Sequence, residues 1–438
     1  MSERSVGVIS LGCSKNRVDS EIMLQELMDN GWQITQNPQT ADVVIINTCG
    51  FILSAQQEAV DTILEMAQYK QTGNCRALLV TGCLSQRFSN QLAQDMPEID
   101  GMLGINQYGA ICRAVDETLR GNRPIWVEEE HPLPITGTRI LTTPPYMAYV
   151  RIADGCDNFC SYCAIPKIRG RYRSRTMEDI LQELTQLSAR GVQEAVLIAQ
   201  DTTRYGMDLY GEPHLLELLR QCVQVPGIRW VRVLYCYPEL ITKPLLDFIM
   251  ENEKMCKYLD VPIQHIDDTL LKDMNRRSTT QDIYNLVAAT RAYNHPLALR
   301  TSLIVGYPGE SEQAFDDLCS FIGGGVFLHA GVFAYSKEDG TAAAKKKGQI
   351  PQSIKRRRAN QLMQVQQGAT QQLYAQLIGR TEWVLVEGQS GHTSYGRLQY
   401  QAPEVDGKIY LNQLLPAGQF VQAKITGCIG YDVTGEVV

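Results

Sequence analysis

Three thiols fall within a single short loop of this chain, Cys156-Asp-Asn-Phe-Cys160-Ser-Tyr-Cys163, directly after an apolar strand-like run. Thiols packed this densely cannot all be core residues. They suit three corners of a 4Fe-4S cubane, with the fourth iron left free of any protein ligand. Zinc is the competing metal. A structural zinc site closes with a fourth Cys or His at recognisable spacing, and the nearest histidines in sequence, His131 and His214, lie well outside the loop.

Composition bears on how the other cysteines are read. The chain holds 438 residues and 13 cysteines, an odd number that a fully paired disulfide framework does not use. The opening Met-Ser-Glu-Arg-Ser runs straight into a strand-like segment, without the apolar stretch of a secretory signal, and no run approaches bilayer-spanning length. A cytoplasmic location without membrane contact is expected, where thiols stay reduced. Formal net charge is −7, from 48 acids against 41 bases. That balance is the opposite of a chain built to grip phosphates, and it suits a basic partner.

The length predicts several cores, and the pattern divides them into an α/β architecture. Apolar runs at Val6–Leu11, Asp42–Ile46 and Ala77–Val80 alternate with helical patterns at Ser20–Met28 and Ser54–Tyr69. Such alternation predicts an open parallel sheet over 1–120. Each of the three strands runs into a cysteine: Cys13, Cys49 and Cys83. The carboxyl ends of parallel strands lie along one edge, so these three converge as candidate ligands of a second cluster. The blander alternative is three unrelated buried thiols.

A proline-rich linker is expected over 121–141, containing Pro124, Pro132 and Pro134. Six strand–helix units follow over 142–371, with strands at Tyr149–Ala153, Ala195–Gln200, Trp230–Tyr235, Tyr258–Ile263, Leu299–Val305 and Gly331–Tyr335. Six units are short of a closed eight-fold barrel and predict a partial (βα)6 barrel with its chemistry at the strands' carboxyl ends. Beyond basic runs at Lys345–Lys347 and Lys355–Arg358 and a helix over Ala359–Leu377, short strands over 374–438 predict a small antiparallel β-barrel of the oligomer-binding kind.

The cysteine spacing, with Tyr162 before the last thiol, resembles the signature of the radical SAM superfamily. Taken end to end, the chain resembles the methylthiotransferases, which join an N-terminal cluster domain, a radical SAM core and a TRAM domain. The resemblance implies two 4Fe-4S clusters, an auxiliary one on Cys13, Cys49 and Cys83 and a radical one on Cys156, Cys160 and Cys163. It implies two S-adenosylmethionine molecules, one as methyl donor and one as source of a 5′-deoxyadenosyl radical that opens a C–H bond. Tyr162, Gln200, Asp201, Gly306 and Gly309 are then cofactor-binding candidates, the glycines by admitting backbone close to adenosine. Gln264 and His265, at the fourth strand end, are candidates to line the site.

Ser10-Leu-Gly-Cys-Ser-Lys-Asn-Arg-Val-Asp-Ser-Glu21, Cys163–Arg175 and Ala402–Gly407 resemble the branch that modifies the β-carbon of an aspartate in ribosomal protein S-twelve. The tRNA-modifying branch typically carries Gly-Cys-Gln-Met-Asn at the first of these. Four bases against six acids over Tyr374–Val438 are a poor footprint for tRNA. Expected partners are ribosomal protein S-twelve on or near the small subunit, an electron donor and a sulfur donor. Lys345–Lys347 and Lys355–Arg358 are candidates for ribosomal RNA contact or, more blandly, solvated surface. Three alternatives stand beside this reading: tRNA modification, methylation without sulfur, and an iron–sulfur ribosome- or RNA-binding factor. Cys75, Cys112, Cys222, Cys236, Cys256, Cys319 and Cys428 read as packing residues.

Overall fold

The structure, a computed structural model, describes residues 4–105, 107–128 and 138–438. His131, Pro132 and Pro134 lie outside the described residues. Six parallel strands form the first sheet: β1 (Ser5–Ser10), β2 (Gln33–Ile34), β3 (Val43–Thr48), β4 (Ala77–Gly82), β5 (Gly101–Leu103) and β6 (Ile125–Trp126), in the order β2-β1-β3-β4-β5-β6. Every residue of β3 and β4 is buried, as expected of parallel strands covered by helices on both faces. The helix after β1 spans Ser14–Asp29 and starts earlier than its apolar pattern suggests. Its first turns look like loop because they are polar, yet Lys15, Asn16, Asp19, Ser20 and Glu21 are all buried. They are polar because they dock on a second polar surface.

That surface belongs to the central unit. Its strands are β7 (Met147–Arg151), β10 (Glu194–Ile198), β11 (Trp230–Val233), β12 (Tyr258–Asp260), β13 (Ala298–Val305) and β14 (His329–Ala334), with a short antiparallel ladder of β8 (Ala153–Asp154) and β9 (Arg173–Ser174). The main strands pair in parallel as β11-β10-β7 and β12-β13-β14. Backbone bonds from Val231 N to Lys254 O (2.8 Å) and Cys256 N to Val231 O (3.0 Å) join the two halves. Among the described residues β7 and β14 do not pair with each other, so the barrel is open on that side.

The C-terminal strands β15 (Thr381–Ser390), β16 (Thr393–Leu398), β17 (Ile409–Leu411), β18 (Phe420–Ile429) and β19 (Asp432–Val437) close into a barrel. One seam, β17 with β19, is parallel, so the barrel is not wholly antiparallel as expected. It docks under the amino ends of the central strands. Glu194 there takes Arg232 (2.9 Å) and Arg397, all three fully buried. Asp406 accepts from Arg300 and from the Tyr258 hydroxyl, each at 2.7 Å, and Trp230 meets Phe420 edge-on at 4.8 Å.

Docking changes the charge accounting of this barrel. Arg397, Glu387, Glu404 and Asp406 are engaged in ion pairs, which leaves Arg380, Lys408 and Lys424 against Glu382, Asp432 and Glu436. The barrel's remaining charge is balanced, and its acidity on paper says nothing about a partner. The second basic run needs a similar correction. The helix before the barrel begins at Gln352 rather than Ala359. It turns Lys355 and Arg358 inward, where Lys355 Nζ donates to Tyr335 O (3.0 Å) and Arg358 pairs with Glu310 and Glu312. Half of Lys355–Arg358 is therefore internal and unavailable to RNA. Lys346 pairs with Asp273, while Lys345 and Lys347 are exposed. No helix among the described residues is long and apolar enough to cross a membrane.

The N-terminal sheet is held to the barrel by buried ions. Asp19 receives both Arg151 and Arg169 (2.9 Å for the latter), Arg169 also reaches Asp154 (3.1 Å), and all four side chains are at most 1% exposed. Glu21 and Glu183 share Arg139, and Glu338 takes Arg87 at 3.0 Å. Removing one partner of a buried pair strands the other charge, at roughly 3–5 kcal/mol. Asp19→Ala should lose about that much in urea denaturation of the iron-free protein. The double change Asp19→Leu/Arg151→Met should recover much of the loss, because no lone ion remains at Arg151.

Candidate functional site

Cys13, Cys49 and Cys83 follow β1, β3 and β4, and the three strand ends are pressed together. A Cβ on Gly12 (φ +90°) would stand 2.8 Å from Cys49 Cβ and 3.3 Å from its sulfur. One on Gly82 (φ +97°) would stand 2.3 Å from Asn47 Oδ1. Glycine is required at both positions by the left-handed backbone and by the crowding. Asn16 ties the loops, donating to Leu11 O and Thr48 O at 2.9 Å each. Its Oδ1 accepts from Arg169 Nη2 at 2.8 Å, and that nitrogen is 3.9 Å from Cys83 Sγ. Cys13 is exposed, Cys49 half-buried and Cys83 buried. Burial pushes the Cys83 thiol up to about 12 against the pull of Arg169, and burial also raises Cys49.

The second cysteine loop runs from β8 to the helix Ile165–Arg169, and β9 returns antiparallel to β8. Asn275 Nδ2 pins its apex through Asn158 O (3.1 Å) and Phe159 O (3.0 Å), and Phe159 itself sits at φ +48° with its ring exposed. Arg276 lies 3.9 Å from Cys160 Sγ, donates to Pro262 O at 2.8 Å and covers the Tyr237 ring. Burial raises Cys156 to about 11; burial and the neighbouring Cys160 lift Cys163 further.

Among the described residues no group of three or more His, Cys, Asp or Glu is gathered closely enough to hold a single metal ion. Each cysteine set consists of thiols with a guanidinium against one buried sulfur. Such donors fit an iron–sulfur cluster, whose ligands bind separate irons and whose net negative charge a nearby Arg offsets.

Between the two sets runs the segment after β11. Tyr235 (φ +62°) has Cys13 and Ser14 as neighbours, and Tyr237 has Cys160 and Tyr162. Lys15 Nζ stands 3.4 Å from the Tyr235 ring centre. Burial pulls its ammonium down from the ordinary lysine value, with Cys13, Asp154 and Asp260 acting the other way and Arg169 adding to the fall. Sequence reasoning passed over Lys15, Asn16, Arg169, Tyr235, Tyr237 and Arg276. The one available signal was polarity packed tightly around a cysteine, at Ser14–Asn16.

The other candidates divide. Gln200 Nε2 donates to Asp154 Oδ1 (2.9 Å), and buried Asp201 accepts from Asn158 Nδ2 (2.9 Å) and Thr203 (2.8 Å) beside the cysteine loop. Gly309 (φ +92°) opens onto free space, but a Cβ on Gly306 would strike Lys355 Cγ at 2.4 Å. The Gly306 amide donates to Glu310 at 2.6 Å. Tyr162 packs with Tyr307, Tyr335 and Ala343. His265 is fully buried with Nε2 3.3 Å from Glu310 Oε1, so it belongs to an internal polar network. Gln264, at φ +69°, is buried beside it. Cys75, Cys222, Cys236 and Cys256 are buried and Cys112, Cys319 and Cys428 half-buried.

Residues 5–104 match the model of uncharacterized protein family UPF0004, residues 150–322 the radical SAM superfamily and residues 378–438 the TRAM domain. Among solved structures, the radical S-adenosylmethionine methyltransferase TsrM from Kitasatospora setae superposes with a TM-score of 0.55 at 14% identity, over 76% of this chain and 75% of that one. The cobalamin-dependent radical enzyme OxsB follows at 0.51 and 10% identity, over 78% and 55%. At these identities the likeness is one of fold, and the fold is that of a radical SAM enzyme, a class that uses S-adenosylmethionine and a 4Fe-4S cluster.

Full-length relatives narrow the class. The ribosomal protein uS12 methylthiotransferases RimO of Clostridium botulinum (strain Hall) and Clostridium acetobutylicum (strain ATCC 824) are each 46% identical over 440 residues, covering 100% of this chain and 99% of their own. That of Clostridium kluyveri is 47% identical over 448 residues with the same coverage. The chain belongs to the RimO family of radical SAM methylthiotransferases.

Thiol exposure gives a direct check. In iron-free protein under anaerobic conditions, iodoacetamide should label Cys13 first and leave Cys222 and Cys256 unlabelled, as read by peptide mass spectrometry. Loading with iron and sulfide should protect Cys13.

Proposed function

We propose that this chain methylthiolates the β-carbon of an aspartate in ribosomal protein uS12, using two S-adenosylmethionine molecules and two 4Fe-4S clusters. The observation that carries this reading is identity of 46% along the whole length to uS12 methylthiotransferases, which leaves the tRNA-modifying alternative without support. Domain limits of 1–120, 142–371 and 374–438, joined by a linker over 121–141, accord with it.

Cys13, Cys49 and Cys83 hold the auxiliary cluster, and Cys156, Cys160 and Cys163 the radical cluster. When bound, these groups with S-adenosylmethionine supply the sulfur-delivery and radical chemistry that side chains lack. The protein's own contribution is placement. Arg169 and Arg276 sit against the sulfurs of Cys83 and Cys160. Asp201, held by Asn158 beside the cysteine loop, and Gln200 provide the polar groups expected to meet the methionyl end of the cofactor. Gly309 leaves room for its adenosine. Tyr235 and Tyr237 fill the wall between the two sets and would exclude solvent from it. An electron donor and a sulfur donor complete the system, in the cytoplasm.

Reconstituted enzyme offered small subunits and bulk tRNA together, with S-adenosylmethionine, sulfide and reductant, should mark only an aspartate of uS12, read by mass spectrometry of both substrates. A methylthio group on tRNA instead overturns the substrate. The triple change Cys13→Ala/Cys49→Ala/Cys83→Ala should lose about half the iron and all methylthiolation while still releasing 5′-deoxyadenosine. Unchanged methylthio product would remove the auxiliary-cluster assignment.

A further inference from the structure

The cations at the junction between the N-terminal sheet and the barrel are matched with one conspicuous exception. Arg139 has Glu21 and Glu183, Arg151 and Arg169 have Asp19, and Arg300 has Asp406. Lys15 is 6% exposed, yet among the described residues it makes no ion pair and no side-chain hydrogen bond; its one close partner is the Tyr235 ring at 3.4 Å. A buried ammonium left without a counterion costs several kcal/mol, and the contact of one face with an aromatic ring offsets only part of that. The other N–H bonds of the ammonium are left to donate.

Its surroundings say which anion it serves. Lys15 lies two residues beyond Cys13 on the N-terminal side of the Tyr235–Tyr237 wall, and its charged neighbours are Cys13, Arg169, Asp154 and Asp260. The Cys156–Cys163 set, where the cofactor's carboxylate would lie, is on the Tyr237 side. Two anions can therefore meet Lys15 on its side of the wall, the cluster that Cys13 would hold and a group carried in by the substrate, and the comparison of Asp with Asn peptides below separates them.

We propose that Lys15 is the specificity-determining residue that receives the carboxylate of the target aspartate. The inference rests on the uS12 reading above. In an aspartate the β-carbon is bonded directly to the carboxyl carbon, so an ammonium that grips the carboxylate fixes the carbon to be modified. Tyr235 would hold the ammonium by its ring face, 3.4 Å from the ring centre. The site would favour an acidic side chain over the isosteric amide, whose carbonyl oxygen can still accept a hydrogen bond but which brings no charge to balance the buried ammonium.

The test measures equilibrium binding to cluster-loaded holoenzyme, because binding needs no turnover. A fluorescent uS12 peptide is prepared with the target Asp and with Asp→Asn, and each is titrated with wild type, Lys15→Met and Lys15→Arg, alongside the methylthiolation rate of each pair. Wild type should prefer Asp by about 100-fold, the scale on which burying an unpaired charge is penalised. Lys15→Met should bring the two peptides to within about twofold by weakening the Asp peptide, and Lys15→Arg should restore part of the preference. A wild type that binds both peptides alike, or a Lys15→Met variant that keeps the preference for Asp, overturns the proposal. So does a Lys15→Met effect confined to the KM for S-adenosylmethionine. A wild type that modifies no uS12 at all refutes the underlying function instead, and the two failures are distinct.

Discussion

Asp19 sits where three parts of the molecule meet, and the position of nearly everything else at the centre depends on it. It lies on the helix that follows Cys13, it binds an arginine from the first barrel strand, and it binds another from the end of the second cysteine loop. The Arg169 that it orients also lies beside Cys83 and bonds Asn16, which gathers the first cysteine loops. A buried ion network contributes little net stability compared with apolar packing. Its value here is directional, because hydrogen-bonded ions at 0–1% exposure tolerate one arrangement. An apolar junction would allow sliding, and sliding would separate the two cysteine sets.

Two open parallel systems meet at this junction with their functional ends together. A parallel sheet delivers ligands at its carboxyl edge for geometric reasons, and a partial barrel does the same. The open side between β7 and β14 gives the Ser14–Asp29 helix access to the barrel wall, with Val18 and Ile22 packing among barrel residues such as Tyr149 and Ile198. The C-terminal barrel occupies the far end, where Glu194, Asp406 and Trp230 fasten it.

Much of this was legible in the chain. Apolar runs such as Asp42–Ile46 and Ala77–Val80 marked strands because parallel strands are buried on both faces, and β13 lies within one residue of the run at Leu299–Val305. Errors arose where polar residues are internal. The helical pattern is read from Ser20 and the helix begins at Ser14; Lys355 and Arg358 looked like surface and are packed against Tyr335 and Glu310. The six acids of the last segment suggested a net field that internal pairing removes. Polarity in sequence reports the need for a partner and does not say whether water or a distant side chain meets it.

The sequence by itself determined the chemistry. Three thiols on one loop and three more at parallel strand ends mark two sets of candidate soft ligands, since strand spacing and loop length are local properties written in residue order. What only the tertiary structure decided is how those sets face one another: which arginine lies against which sulfur, that Tyr235 and Tyr237 stand between the two sets, and that Lys15 is buried against the Tyr235 ring without an ion pair among the described residues. Those facts depend on contacts between residues more than a hundred positions apart, such as Asp19 with Arg151 and Arg87 with Glu338. No local pattern encodes them, because each arises from the packing of one complete domain on another.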